Sequence, residues 1–167
     1  MFQVSSVSSF NSASPVKKKV LFSGRCILAP LAWVLVLASE MVKRFEDLKV
    51  WQASRGLSKD LYILCRNTNL NKDFELKNQL LRSAGSVPDN IAEGFERDGN
   101  KELIHFLSIA KGSCGEVRSQ LYRTLDHGHI TPVEFSDFHD RAVEISRMLS
   151  GFISYLKSSS TPGRKFK

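Results

Sequence analysis

The sequence predicts an all-α protein: an antiparallel up-down-up-down four-helix bundle over residues 44–157, with its second helix kinked near Pro88. Three observations predict it. Apolar residues recur at spacings of three and four, the period of one helix face, in four successive stretches. Short polar or glycine-containing segments separate those stretches, and short connections make consecutive helices antiparallel neighbours. Glycine and proline are sparse after residue 40, so the dense turn signals of a many-stranded protein are missing. A body of roughly 110–130 residues buries about two thirds of its unfolded surface, enough for one core.

The first helix is expected from about Asp47 to Asn67, with Asp47 as its N-cap or as first-turn negative charge. Val50, Leu57, Leu61 and Leu64 form its stripe, and Asn67–Asn71 reads as a polar turn. The second is expected from about Phe74 to Ala92, carried by Leu76, Leu80, Ala84, Val87 and Ile91. Pro88 falls inside this pattern, where it removes one backbone bond and crowds the preceding turn. Gly94 reads as the C-terminal signal of this helix, before the loop Arg97–Asn100.

The third helix is expected from about Lys101 to His127, on Ile104, Leu107, Ala110, Cys114, Val117 and Leu121. Gly112 and Gly115 each disfavour a helix interior by about 1 kcal/mol relative to alanine, which suggests close approach of a neighbouring helix there, with a flexible point as the alternative. His127-Gly128-His129 makes the next turn. The fourth helix opens on Thr131 as N-cap, Pro132 at the first helical position and Glu134 at the capping-box position. Phe138, Ala142, Ile145, Leu149, Phe152 and Leu156 continue it at 3-4 spacing until it frays near Ser158. The basic tail, residues 158–167, is expected to be disordered.

Residues 1–40 stand apart. Lys17-Lys18-Lys19 precedes the apolar run Cys26–Ala38, thirteen residues long and short of the roughly twenty that span a bilayer. Three readings stay open: a secretory signal, an interfacial anchor, or upstream sequence ahead of a true start at Met41. The third is favoured, because the basic stretch begins far from the apolar run and Met41 lies just ahead of the first helical signal. Cytoplasmic localisation follows from it, and export if residues 1–38 are a genuine signal. The formal charge of +7 also belongs largely to the ends of the chain: residues 41–157 hold 17 basic and 16 acidic side chains. Bulk charge therefore gives no case for nucleic-acid binding, whose electrostatic footprint has to lie on the folded surface. Cys26, Cys65 and Cys114 form no CxxC pair and no disulfide framework; Cys65 and Cys114 fall on apolar helix faces as small hydrophobes.

Three blocks are more specific than periodicity: Phe45–Trp51, Ser86-Val-Pro-Asp-Asn-Ile-Ala-Glu-Gly94, and Phe106–Glu116 with Lys111-Gly112-Ser113 at its centre. In this order they resemble the 23S rRNA intervening-sequence proteins, a bacterial four-helix-bundle family. The resemblance covers residues 44–157. It implies a small cytoplasmic bundle, a homo-oligomer often built as a ring-shaped pentamer, with relatives encoded inside ribosomal RNA genes. A related bundle, the accessory variability determinant of diversity-generating retroelements, binds nucleic acid and a reverse transcriptase. The family brings no catalytic residues. Gly115 and Asp89 depart from its usual pattern and are expected to loosen the third and second helices locally.

Ser86, Pro88, Asn90, Glu93, Gly94, Gly112, Ser113 and Glu116 are read as structural motif residues. Glu93 and Glu116 would be the acid–base pair of an enzyme, but the expected arrangement is a hydrogen-bonded network. In it Arg82 bridges the two carboxylates and Asn90 satisfies the backbone freed by Pro88. No nucleophile–base set or phosphate loop is present, and Glu102-x-x-His105 is a single motif where a di-metal bundle needs one on each of two helices, so no catalytic residue, cofactor or metal is assigned. Of His105, His127, His129 and His139, the turn pair His127-x-His129 could take a metal only fortuitously, and a solvated pair is expected. Lys101, Lys111 and Arg118 on the third helix are the candidate nucleic-acid contacts, with Ser108 and Gly115 leaving the face open. The leading function is a non-enzymatic oligomeric bundle that binds structured RNA mainly through phosphates. The alternative is a protein-interaction scaffold, for which Phe95, Phe106, Tyr122 and Ile153 beside the main stripes supply apolar surface.

Overall fold

The computed structural model describes residues 42–97 and 99–158. The chain divides into units Met1–Glu40 and Met41–Lys167. The readings made for residues 1–40, for Cys26 and for the tail beyond Ser158 lie outside the described residues. Four α-helices account for nearly all of the described residues: α1 Lys49–Asn67, α2 Phe74–Glu96, α3 Asn100–Asp126 and α4 Pro132–Ser158. Each packs on its sequence neighbours and α1 also packs on α4, which closes the ring of a four-helix bundle. None of the described helices is long and apolar enough to cross a membrane.

The core follows the 3-4 stripes. Leu61, Leu80, Ile91, Leu107, Val117, Leu121, Ala142 and Leu149 are all within 2 % of complete burial. Cys65 and Cys114 lie among them, and burial pushes the pKa of each thiol up to about 11. Polar contacts fix the direction of α3 against α2. Arg123 reaches Gln79, Gln120 meets Ser83, and Ser113 meets Ser86, so positions on one helix fall as those on the other rise. Across the first and last helices, Arg141 donates to Asp60 at 2.7 Å.

The ends differ from the sequence reading in instructive ways. Asp47 does not cap α1; it closes a short 3-10 turn, Phe45–Asp47, and the N-cap is Leu48 without a side-chain bond. The polar turn after α1 contains a second 3-10 turn, Asn69–Lys72, because Leu70 dives into the core. α2 runs unbroken through Pro88 and Asp89 to Glu96, beyond the expected end at Ala92. Gly94 is therefore no terminal signal. A Cβ there would meet the Phe106 Cβ at 2.7 Å, so Gly94 is a point of close approach between α2 and α3. A Cβ added at Gly112 or Gly115 would meet nothing within 4 Å, so no helix of this bundle presses on them. α3 is continuous through both.

The start of α4 matches expectation atom by atom. The Thr131 hydroxyl accepts from the Glu134 amide at 3.2 Å, while the Glu134 carboxylate accepts from the Thr131 amide and hydroxyl, each at 2.8 Å. The two bonds to backbone amides satisfy orphan donors at both ends of the first turn. The bonds from Thr131 also hold the Glu134 carboxyl below the usual carboxylate range.

Candidate functional site

Three places on the bundle carry polar chemistry: a cleft between α2 and α3, the outer edge of α3, and the end where the α1–α2 and α3–α4 turns meet. The cleft is open, about 710 Å³, and is lined by Gln79, Arg82, Ser83, Ser86, Asp89, Asn90, Glu116 and Gln120 among others. Its floor is a directed chain of hydrogen bonds. The Asn90 amide donates to the Ser86 carbonyl at 2.7 Å and to the Ser86 hydroxyl at 3.0 Å. The Ser86 and Ser113 hydroxyls are 2.9 Å apart, and Ser113 donates on to the Ile109 carbonyl at 3.2 Å. Reading the hydrogens in that order leaves each donor with an acceptor. Ser83 and Gln120 close the same seam one turn further along.

This arrangement departs from the expected network in two respects. Asn90 does not serve the carbonyl freed by Pro88, which is that of Ala84, because its side chain reaches back one turn and meets the Ser86 carbonyl instead. Arg82 does not bridge Glu93 and Glu116. Glu93 lies outside the cleft and pairs with Arg97 on the following turn. Glu116 lines the cleft, and Arg82 and Glu116 form no ion pair among the described residues. The acid–base pairing of Glu93 with Glu116 is thus not assembled: one carboxylate is tied to an arginine away from the cleft that holds the other.

Along α3, Lys101 and Lys111 are exposed and Arg118 is half-buried. Among the described residues none of the three is in an ion pair, whereas Arg97, Arg141 and Arg147 each have a carboxylate. The Arg118 Nε is buried and has no hydrogen-bond partner among the described residues. Lys111, Arg118 and Tyr122 follow one another at spacings of seven and four, so they share a face. Tyr122, half exposed, leans on Phe135 of α4 at 4.8 Å between ring centres, and His139 stacks on the same Phe135 at 5.2 Å. The cleft residues of α3, Glu116 and Gln120, are different ones, so the candidate cations do not open into the cleft.

At the bundle end the structure joins residues that sequence spacing had left apart. Asp73 caps α2: its Oδ1 accepts from the Leu76 amide at 3.1 Å. Its Oδ2 faces His129 Nε2 at 3.3 Å and His127 Nδ1 at 3.6 Å. The Leu76 amide, and then the two imidazoles, hold the Asp73 carboxyl below its ordinary range against an opposing effect of burial. The turn pair is therefore not simply solvated: His129 is largely covered, at 17 % side-chain exposure, while His127 stays half exposed at 49 %. His-x-His was visible in the sequence; nothing in spacing linked it to an aspartate more than fifty positions earlier.

Residues 46–151 match the family model described as 23S rRNA-intervening sequence protein. The chain belongs to that family. A crystal structure of a protein of unknown function from the S23 ribosomal protein family of Bacteroides thetaiotaomicron is similar in fold. Its TM-score is 0.59 at 24 % sequence identity, covering 63 % of this chain and 95 % of that one. No curated protein matches. The family match spans all three sequence blocks except the first residue of Phe45–Trp51, and so includes the cleft, the α3 edge and the Asp73–His127–His129 cluster.

Proposed function

We propose that this intervening-sequence protein is a non-enzymatic, self-associating bundle of the cytoplasm that binds structured RNA through phosphates along the outer edge of α3. The observation that carries the reading is Arg118. Half-buried Arg118 is in no ion pair among the described residues, and phosphate oxygens match the donor fork of a guanidinium. Lys111, one heptad earlier, has no ion-pair partner among the described residues, and Tyr122 beside it offers a ring on which an unpaired base can stack. Lys101, at the start of the helix, lies roughly 80° round from Lys111 and adds an exposed charge beside that edge rather than on it. Self-association is supported by Tyr62, Ile63, Ile109 and Tyr155, large apolar side chains at least 40 % exposed. Repetition of the α3 edge by symmetry would multiply a modest charge per chain.

The test is binding of a structured RNA by the full chain across a salt series, beside a Lys111→Glu/Arg118→Glu double variant. Loss of two phosphate contacts should lower the steepness of log K against log salt by roughly 1.4–1.8 and weaken binding at low salt. Equal binding by the double variant would remove this face from the reading. Absence of binding by both, with a defined protein recovered after nuclease treatment, would move the function to a protein scaffold.

A further inference from the structure

We propose that Asp73, His127 and His129 form a binding site for a divalent transition-metal ion of the zinc class, at the end of the bundle where two inter-helix turns meet. One ligand atom from each residue lies within 4.8 Å of the other two, in a group of mixed burial. Asp73 Oδ2 and His129 Nε2, 3.3 Å apart, already have the separation of two adjacent ligands on a tetrahedral zinc, about 3.3 Å for bonds near 2.0–2.1 Å. Asp73 Oδ2 and His127 Nδ1 are at 3.6 Å. His127 is the more exposed histidine and so has the freedom to close the remaining gap.

The backbone fixes this convergence. α3 ends in a Schellman turn: the Gly128 amide donates to the Leu125 carbonyl at 2.8 Å and the His129 amide to the Thr124 carbonyl at 3.0 Å. Gly128 has φ +69°, the left-handed conformation this turn needs and glycine supplies without strain. That reversal puts His127 and His129, which flank Gly128, within reach of the same carboxylate. The capping box of Thr131 and Glu134 begins two residues later and anchors the other side of the turn. On Asp73 the two oxygens have separate roles. Oδ1 holds the α2 amide, and Oδ2 is left for the imidazoles.

Two imidazoles and one carboxylate are the donor set of borderline-soft divalent ions; magnesium and calcium take oxygen ligands instead. Three protein ligands with His127 half exposed leave the remaining position to water. The C-terminal end of α3 favours a cation there, and the Asp73 carboxylate stands between the ion and the opposing dipole of α2. Bound metal would staple the α1–α2 turn to the α3–α4 turn, a role separate from the α3 edge.

The test is titration of the full chain, free of any affinity tag, with Co(II) followed by visible absorption, then displacement by Zn(II) in calorimetry. The expected result is saturation at one ion per chain with ligand-field bands. His127→Gln, His129→Gln and Asp73→Asn should each weaken binding by about 100-fold or more, since even an outer-shell partner is commonly worth 10–100-fold. Asp73→Asn retains an N-cap acceptor, so it separates ligation from folding, and circular dichroism of each metal-free variant checks the helices. His105→Gln and His139→Gln should bind as the parent does. No bands at excess Co(II), thiolate charge-transfer absorption, or affinity unchanged in the three ligand variants would each overturn the site.

Discussion

Gly94 and Gly112 sit in helices of the same bundle, yet alanine should act on them with opposite sign. A methyl at Gly94 would lie 2.7 Å from the Phe106 Cβ and 3.4 Å from the Leu103 Cα, so it cannot be accommodated by turning the end of a side chain. α2 and α3 would have to move apart, and such overpacking costs about 1–3 kcal/mol. Alanine's helix preference returns about 0.5–1 kcal/mol, leaving a net loss of about 1 kcal/mol at the middle of both ranges. At Gly112 nothing lies within 4 Å, the position is exposed, and only the preference acts, so Gly112→Ala should stabilise by about 0.5–1 kcal/mol. Urea denaturation followed by circular dichroism reads both. With an m-value of about 1–3 kcal/mol per molar, the two midpoints should differ by on the order of 1 M. A Gly94→Ala protein as stable as the parent would refute the close-approach argument. If Gly112→Ala instead destabilises, more so at higher protein concentration, a second chain covers that face of α3.

Two further outcomes follow from the capping box and the buried thiols. Thr131→Ala should lower stability by about 1 kcal/mol, read as a shift in the urea midpoint, because it strips the acceptor from the first turn of α4. Glu134 has its pKa lowered by the Thr131 amide and hydroxyl, so its contribution is present above the unfolded carboxylate pKa and is lost as pH falls through the folded one. Glu134→Gln should accordingly flatten the acid limb of stability against pH, and an unchanged limb would count against the box. In a Cys26→Ser background, Cys65 and Cys114 should resist a thiol reagent at neutral pH until the bundle is unfolded, since both are buried and both thiol pKa values are raised to about 11. Rapid labelling of either in the native protein would mean that the core opens readily.

The core was legible because it rests on periodicity, which is local. Leu57, Leu61 and Leu64, or Phe138, Ala142, Ile145 and Leu149, announce a buried face without knowledge of what covers it. The α4 start was equally legible, because a capping box is written within four residues. What failed was whatever depended on the neighbouring helix. Gly94 has the sequence signature of a helix end and is a contact, whereas Gly112 and Gly115 have that of a contact and face open space. A glycine in a helix signals either case alike, and only the partner's position decides. The candidate site divides the same way. Ser86, Asn90 and Ser113, three of the eight motif residues, meet in a chain that spacing alone does not predict. Glu93 was grouped with Glu116 by motif, but its i,i+4 partner Arg97 claims it first. Asp73 carried no functional signal in the sequence, because its two histidines approach only after α2 and α3 have folded back on each other.

The distribution of satisfied and unsatisfied polar groups also bears on where function can lie. Between α2 and α3 the hydroxyls and the amide form a chain whose hydrogens all have acceptors, and the one paired motif carboxylate is held by an arginine outside it. Groups whose hydrogen bonds are already filled have nothing left to offer a substrate except by breaking the seam that aligns the two helices. That weighs against chemistry at the seam itself; Arg82, Asp89 and Glu116 line the same cleft and are in no ion pair among the described residues. Arg118 is the reverse case: a partly buried cation whose Nε lacks an acceptor among the described residues, on a helix edge that also carries Lys111. An outside acceptor would have to meet the guanidinium where the half-buried side chain reaches the surface, since the Nε itself is covered. Phosphate and carboxylate both qualify. They differ in how binding responds to salt, because RNA releases counterions in proportion to the phosphates contacted and a single carboxylate does not. The steepness of the salt dependence, rather than affinity at one salt concentration, therefore distinguishes an RNA-binding edge from a docking site for an acidic protein.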